Sequence, residues 1–353
     1  MPRSDVTINL VELDPKAPTR ETWAQYHAYR RLRQHETRPE DPMLPDEMVE
    51  KDWLQENPYD EERVLLVEQD GQFIASLHAG RSLPASPGYE TNKQYHYAGG
   101  HVLKPYRRRG IGTALTRHLV RLMEEAGTTV LTTGTEEPDG HAFLKWLGAE
   151  EKLTGAENRL DLHAVDWAML EKWVADGRSR SPDTQLVFYE HRVPEEAMPA
   201  VTQALSEMLN TMPFDDLDHG EIVVTPETMQ IQYYQWMDNV NGEHYLYMTV
   251  EPDGTISGMT DTNYIPAKPD RIGQMFTGVR PTCRGRGLGK LLKASMLLFI
   301  RERYPDARWV VTNNANSNDP MLAINRQMGF KTYRSGSDYQ ISREKLAEFL
   351  AGV

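Results

Sequence analysis

The sequence predicts two consecutive α/β domains of one kind, and three observations support this. A strand, an arginine- and glycine-rich turn and an amphipathic helix follow one another twice. The turns are Arg107-Arg108-Arg109-Gly110-Ile111-Gly112 and Arg284-Gly285-Arg286-Gly287-Leu288-Gly289. The landmarks around them recur at one spacing: Arg107 and Arg284 are 177 positions apart, Gly148 and Gly329 are 181. The 353 residues suffice for two domains that each bury a core. A period this long means duplicated domains and not a solenoid.

In the first half, residues 6–13 alternate apolar and polar positions and read as a strand. A helix over about 19–34 is opened by Thr19 with Glu21 and Thr22 in its first turn, and a second helix covers about 45–55. Residues 63–68 and 72–78 flank Asp70-Gly71, a hairpin turn signal. Residues 81–92 read as loop, and 93–103 as the strand entering the first turn. The helix after it places Ile111, Ala114, Leu115, His118 and Leu122 on one face. Residues 128–133 are β-rich, 140–147 form a short helix ended by Gly148, and 159–163 a last strand.

The second half repeats the order: strand 185–191, helices 195–209 and 226–236, and a hairpin over 244–259 turning at Asp253-Gly254. Strand 271–279 leads to the second turn and its helix, then strand 308–312, helix 319–328 and strands near Lys331 and Tyr339. The halves end alike, with Leu170, Trp173, Val174 and Ala175 matched by Leu346, Phe349, Leu350 and Ala351. Residues 176–182 have linker composition. Domains are therefore expected at 1–176 and 185–353, with a linker at 177–184.

Composition narrows the function. Residues 1–176 carry 21 Lys and Arg against 30 Asp and Glu, and residues 177–353 carry 18 against 22. Nucleic-acid binding, which needs a basic face, is not expected. No run approaches a membrane span, and residues 1–5 lack the apolar stretch of a signal peptide, so a cytoplasmic protein is expected. The single cysteine, Cys283, allows neither an internal disulfide nor a cysteine-based zinc site, and no metal is expected. Cys283 reads as a small turn residue without an activating histidine nearby.

The two turns carry the chemistry. Glycines there let successive backbone N–H groups point into one concave space at a helix N-terminus, where a pyrophosphate is stabilised. Neither copy ends in the Gly-Lys-Ser/Thr of a P-loop, and neither completes Gly-x-Gly-x-x-Gly. Arg-x-x-Gly-x-Gly after a strand resembles motif A of the GNAT superfamily of acyl-CoA-dependent N-acyltransferases, and the duplication resembles a tandem GNAT protein. The resemblance implies two domains, each with a mixed, mostly antiparallel central sheet flanked by helices, and acetyl-CoA as cofactor. It assigns donor binding to Val102, Leu103, Arg107, Arg108, Arg109, Gly110, Ile111, Gly112 and Thr113. In the second half it assigns Thr277, Gly278, Val279, Arg284, Gly285, Arg286, Gly287, Leu288, Gly289 and Lys290.

Residues 312–330 resemble the family's motif B, with Asn318 at the cofactor-contacting position. The position where the family often has a thiolate-protonating Tyr is Asn325 here and Leu144 in the first half; an amide is no general acid. The family's strand-borne Glu base corresponds to His96 in the first half and Gly273 in the second; Asp261 and Tyr264 are further catalytic candidates. The run Gln274-Met275-Phe276-Thr277-Gly278-Val279 with Leu292-Lys293 is similar in layout to mycothiol-synthase-like two-domain acetyltransferases, in which the C-terminal half is active. Cys283 departs from that pattern.

The C-terminal half is accordingly expected to be the better catalyst, with donor binding by both halves, or catalysis by the first, as alternatives. Acidic residues Glu36, Glu40, Asp41, Asp46, Glu47, Glu50 and Asp52, and Asp215, Asp216, Asp218 and Glu221, would attract a cationic amine or form a solvated face. The expected activity is N-acetylation of a small cationic amine. Protein or peptide N-acetylation and non-catalytic acyl-CoA binding are the alternatives. The chain is expected to be a monomer, its halves forming a pseudo-dimer, or a homodimer.

Overall fold

The computed structural model describes residues 7–14 and 18–353. The expectations for residues 1–6, including the start of the first strand, lie outside them. In chain order the first half forms β1 (Asn9–Glu12), α1 (Arg20–Thr37), α2 (Asp46–Trp53), β2 (Asp60–Gln69), β3 (Gln72–Ser82), α3 (Tyr89–Asn92), β4 (Tyr95–Val102), α4 (Ile111–Ala126), β5 (Val130–Thr135), α5 (Pro138–Trp146), β6 (Glu150–Asp161) and α6 (Trp167–Arg180). The second forms β7 (Gln185–Glu190), α7 (Met198–Leu209), α8 (Pro226–Thr228), a π-helical turn (Met229–Tyr234), α9 (Gln235–Asn239), β8 (Glu243–Val250), β9 (Ile256–Tyr264), β10 (Arg271–Val279), α10 (Leu288–Arg303), β11 (Trp309–Ala315), α11 (Asp319–Met328), β12 (Lys331–Ser342) and α12 (Arg343–Ala351).

Local chemistry explains the boundaries. Thr19 caps α1 by accepting the Thr22 N–H at 3.0 Å. The β2–β3 turn has Asp70 and Gly71 both at positive φ, the mirror-image turn whose twist suits a hairpin. Gly329, at φ 102°, ends α11 in the left-handed region.

The compact units are not consecutive stretches. One comprises residues 1–153, 216–220 and 336–353; the other comprises 154–215 and 221–335. Unit 1 has strand order β1-β2-β3-β4-β5-β12 and unit 2 has β7-β8-β9-β10-β11-β6. All pairings within them are antiparallel except β4 with β5 and β10 with β11. Each unit is closed by a strand from the other half of the sequence: Ser337–Ser342 of β12 pair with Thr135–Val130, and Gly155–Asp161 of β6 pair with Ala315–Trp309. The helices that follow behave the same way. Leu346 and Leu350 of α12 are buried in the core of unit 1 with Leu115, Leu119 and Met123 of α4. Leu170 of α6 is buried in that of unit 2 with Leu297 and Ile300 of α10.

This differs from the boundary read at 177–184. Residues 177–180 continue α6, and Gly177 sits so close to α10 that a Cβ there would lie 2.8 Å from Leu291 Cβ. The small polar residues that resemble a linker are the end of a packed helix. Residues 331 and 339, read as separate strands, lie on one strand that passes from unit 2 into unit 1.

Candidate active site

In each unit the last strand before the turn is clamped to it. Arg107 Nε donates to the Val102 carbonyl at 2.9 Å, and Arg284 Nε to that of Val279 at 3.1 Å. The chain then makes one 3-10 turn and two left-handed steps. These fall at Gly285 (φ 82°) and Gly287 (φ 84°) in unit 2, and at Arg108 (φ 62°) and Gly110 (φ 84°) in unit 1. The first helical bonds run from Ala114 N–H to the Gly110 carbonyl and from Leu291 N–H to that of Gly287, both 3.0 Å. Amides at the start of a helix have no intrahelical acceptor, and the helix dipole favours an anion beside them.

The arginines around these cradles are largely engaged elsewhere. Arg107 also pairs with Asp139 at 2.7 Å, and Arg109 donates to the Pro105 carbonyl and lies over the Tyr106 ring. Arg286 is held by Glu251 (2.9 Å), Thr184 (2.6 Å) and Ser181 (3.2 Å). An anion beside either helix start would therefore meet backbone amides ahead of these guanidinium groups.

Beside each cradle the sheet opens. β4 and β5 pair only over Tyr95–Tyr97, and β10 and β11 only over Arg271–Gly273. From Ala98 and Gln274 onward, one edge of the strand has no neighbour in the ladder. β10 carries in addition one extra residue against β9, between Gln274 and Thr277. Asp261 holds that bulge by accepting the Phe276 N–H at 2.8 Å, and Gln274 Nε2 donates to the Asp261 carbonyl at 2.7 Å.

In unit 1 the opening holds a cavity of about 370 Å³ lined by Glu62, His78, Tyr97, Thr132, Gly134 and Asp338 among others. It lies on the α1 side of the sheet. Ser76, one pleat from His78, bonds the Tyr29 hydroxyl of α1 at 2.9 Å, and His78 and Gly80 stand opposite Gly99 and Tyr97. The sequence reading missed these residues: Asp338 lies in the second half of the chain, and alternation alone does not say which face of a strand borders a cavity.

The family model of the acetyltransferase (GNAT) family matches residues 26–149 and 204–330. This chain belongs to the GNAT family. The agreement bears out the duplication and the resemblance read from the two turns. Two mycothiol acetyltransferases are similar over part of it. That of Saccharomonospora viridis is 29% identical over 99 residues, 26% of this chain and 32% of that protein. That of Salinispora arenicola is 34% identical over 98 residues, 27% and 31%. The matched segment thus spans about a third of the length of these relatives. Among solved structures, a tandem GNAT protein from the clavulanic acid biosynthesis pathway superposes with a TM-score of 0.72 at 22% identity, covering 96% of this chain and 99% of that one. A GCN5-related N-acetyltransferase from Sphaerobacter thermophilus gives 0.62 at 15%, covering 96% and 97%. These likenesses establish the mixed, mostly antiparallel tandem GNAT fold.

Within that fold the catalytic candidates occupy different settings. His96 faces the α4 side of β4, opposite to the cavity: it is 4% exposed, and its Nδ1 lies 3.2 Å from Thr128 Oγ1. Its Nε2 has no partner, and burial pushes the imidazole down to about 4. Tyr264 stacks on Tyr304 in the core beside α10, ring centroids 4.1 Å apart. Asp261 alone of the three lies on the α7 side of unit 2, opposite Leu246 and on the same face of β9 as Met259, with His244 Nε2 3.3 Å from its Oδ2. Asn318 is the residue before α11, and Asn325 is buried with its Nδ2 donating to Asn314 Oδ1 at 2.9 Å and its own Oδ1 unpaired.

The acidic residues near α1 and α2 are not a bare cation-attracting wall. Asp46 pairs with Arg30 (3.1 Å) and Arg31 (2.8 Å), Glu50 with His27 (2.8 Å) and Asp41 with Arg38 (3.4 Å). Glu36 accepts the Lys104 N–H at 3.0 Å and lies 3.0 Å from His101 Nε2. Residues 216–220 belong to unit 1, where Asp218 N–H donates to Gln340 Oε1 at 2.9 Å.

Proposed function

We propose that this chain is an acyl-CoA-dependent N-acyltransferase that moves an acetyl group to a primary amine of a small, cationic molecule. The observation that carries the reading is the twice-built combination of two left-handed residues, a helix start and a strand splayed from its parallel neighbour. The residues fit an acyl-CoA: a pyrophosphate needs close backbone approach and the amides of a helix start, and Gly110 and Gly287 with the first turns of α4 and α10 answer both needs. Residues 285–290 would hold the donor in unit 2, with Thr277, Gly278, Val279 and Asn318 beside it. Residues 108–113 with Val102 and Leu103 would do so in unit 1.

When bound, the donor supplies a thioester as the acyl source. The chain's part is to orient and to move protons. The free edge of Ala98–Val102 or of Gln274–Val279 offers backbone N–H groups that polarise a carbonyl. Amine attack needs a group that removes a proton, and our candidate in unit 2 is Asp261, a reading supported by its nearness to His244 Nε2 and to the bulge of the splayed strand.

The test is a calorimetric titration with acetyl-CoA, read for stoichiometry, on the parent chain and on Gly287→Val. The variant forces a branched side chain into the left-handed region beside the helix start, and donor affinity in unit 2 is expected to fall at least about tenfold. Unchanged binding would remove the cradle assignment, and no binding by the parent would remove the reading altogether.

A further inference from the structure

We propose that the cavity of unit 1 binds compact cationic amines that carry no anionic group, with Asp338 as the residue that receives the ammonium. The fate of the bound amine rests on the acyl-transfer reading; its binding does not. At about 370 Å³ and open to solvent on one side, the cavity is near the lower end for small-molecule sites, so the part of a ligand that it encloses is small. Its lining contains two carboxylates, Glu62 and Asp338, and no Lys or Arg among the described residues.

The two carboxylates differ. Glu62 Oε1 lies 3.5 Å from His78 Nδ1, and the histidine holds this carboxyl below the usual range. The Asp338 side chain makes no hydrogen bond or ion pair among the described residues and is half-buried, and burial pushes its carboxyl up. It stands directly opposite Gly134 across the β5–β12 ladder. A Cβ on Gly134 would lie 2.6 Å from Asp338 Oδ1, so the carboxylate leans over the glycine, in the space a side chain would fill.

A half-buried carboxylate without a partner at the wall of a cavity is matched by a cation with N–H donors. The ring of Tyr97, 44% exposed, offers a second surface to the same charge. An amino acid or a phosphorylated amine would bring an anion toward two carboxylates, with no Lys or Arg in the lining and His78 already engaged by Glu62, which disfavours it.

In transfer, one proton passes from the ammonium to Asp338 and on to water, leaving the nitrogen its lone pair. As that nitrogen forms the C–N bond the thioester C–S bond breaks, and the second proton leaves with the sulfur. Because Asp338 is on β12, the amine site of the first unit is incomplete without the second half of the chain.

The test is calorimetry of the full chain, without donor, against a four-carbon diamine, the matching monoamine and the matching ω-amino acid. Both amines are expected to bind and the amino acid to bind at least about tenfold more weakly. Asp338→Asn and Gly134→Ala should weaken amine binding about tenfold while leaving the acetyl-CoA titration and the thermal transition intact, and Asp338→Glu should retain it. Equal binding of the amino acid, or full amine affinity in Asp338→Asn, overturns the proposal. Amine binding without acetyl transfer upholds this site and counts against the acyl-transfer reading; acetyl-CoA binding without amine binding overturns this site and leaves the cradle assignment standing.

Discussion

Arg108 holds the left-handed backbone that Gly285 holds at the matching point of unit 2. For a residue with a Cβ this conformation costs about 1–2 kcal/mol, so the turn of unit 1 keeps its shape against the preference of its own side chain. Arg108→Gly is expected to stabilise unit 1 by about 1 kcal/mol, raising its thermal midpoint by roughly 2–4 °C in a scanning experiment. A lower midpoint would show that the Arg108 side chain contributes more than its backbone loses. At this scale the sequence was informative about glycine and arginine in the turns, because spacing identifies them. It was uninformative about what each guanidinium binds. That Arg286 is held by Glu251 depends on the β8–β9 turn, 35 positions away.

At the scale of elements, the bulge of β10 is the main difference between the splayed strands. β4 pairs with β3 from Tyr97 to Val102 without a break, whereas β10 shifts register against β9 at Met275 and Phe276. Asp261 stabilises that shift through the Phe276 N–H. Asp261→Ala is expected to cost about 2 kcal/mol in chemical denaturation, the range for a buried donor left without an acceptor. Asp261→Asn should keep the bulge, since its carbonyl oxygen still accepts. If Asn also retains the transfer rate, Asp261 positions the strand; if Asn loses the rate with the fold intact, Asp261 handles the proton. Most elements were legible from periodicity and turn residues, as the Asp70-Gly71 hairpin and the Thr19 cap illustrate. The bulge was not, because Gln274-Met275-Phe276 reads as unbroken strand and the extra residue appears only against a partner. The settings of Tyr264 and His96 were not legible for a related reason: alternation gives two faces and leaves open which one meets α10, α4 or the cavity.

For the whole molecule, the duplication was legible and the exchange of closing segments was not. Leu170 and Leu346 match by position, and both are 0% exposed, yet each is buried in the unit built mainly from the other half. Leu346→Ala is therefore expected to cost about 3 kcal/mol in unit 1 and to lower amide-exchange protection in β2 to β5, sparing β8 to β10. Leu170→Ala should reverse the pattern. Loss of protection in the same half as the mutation would contradict the exchange. Sequence alone could not show it, since a strand's pattern fits either of two similar partners. The lent strand also sets an order of events during synthesis. At ~5–20 residues per second, a nascent chain whose β5 has emerged waits about ten seconds or longer for residues 337–342, its edge open to unwanted pairing. In the cell, the first half is thus the first made and the last finished, and a ribosome stalled between the halves would release an aggregation-prone fragment.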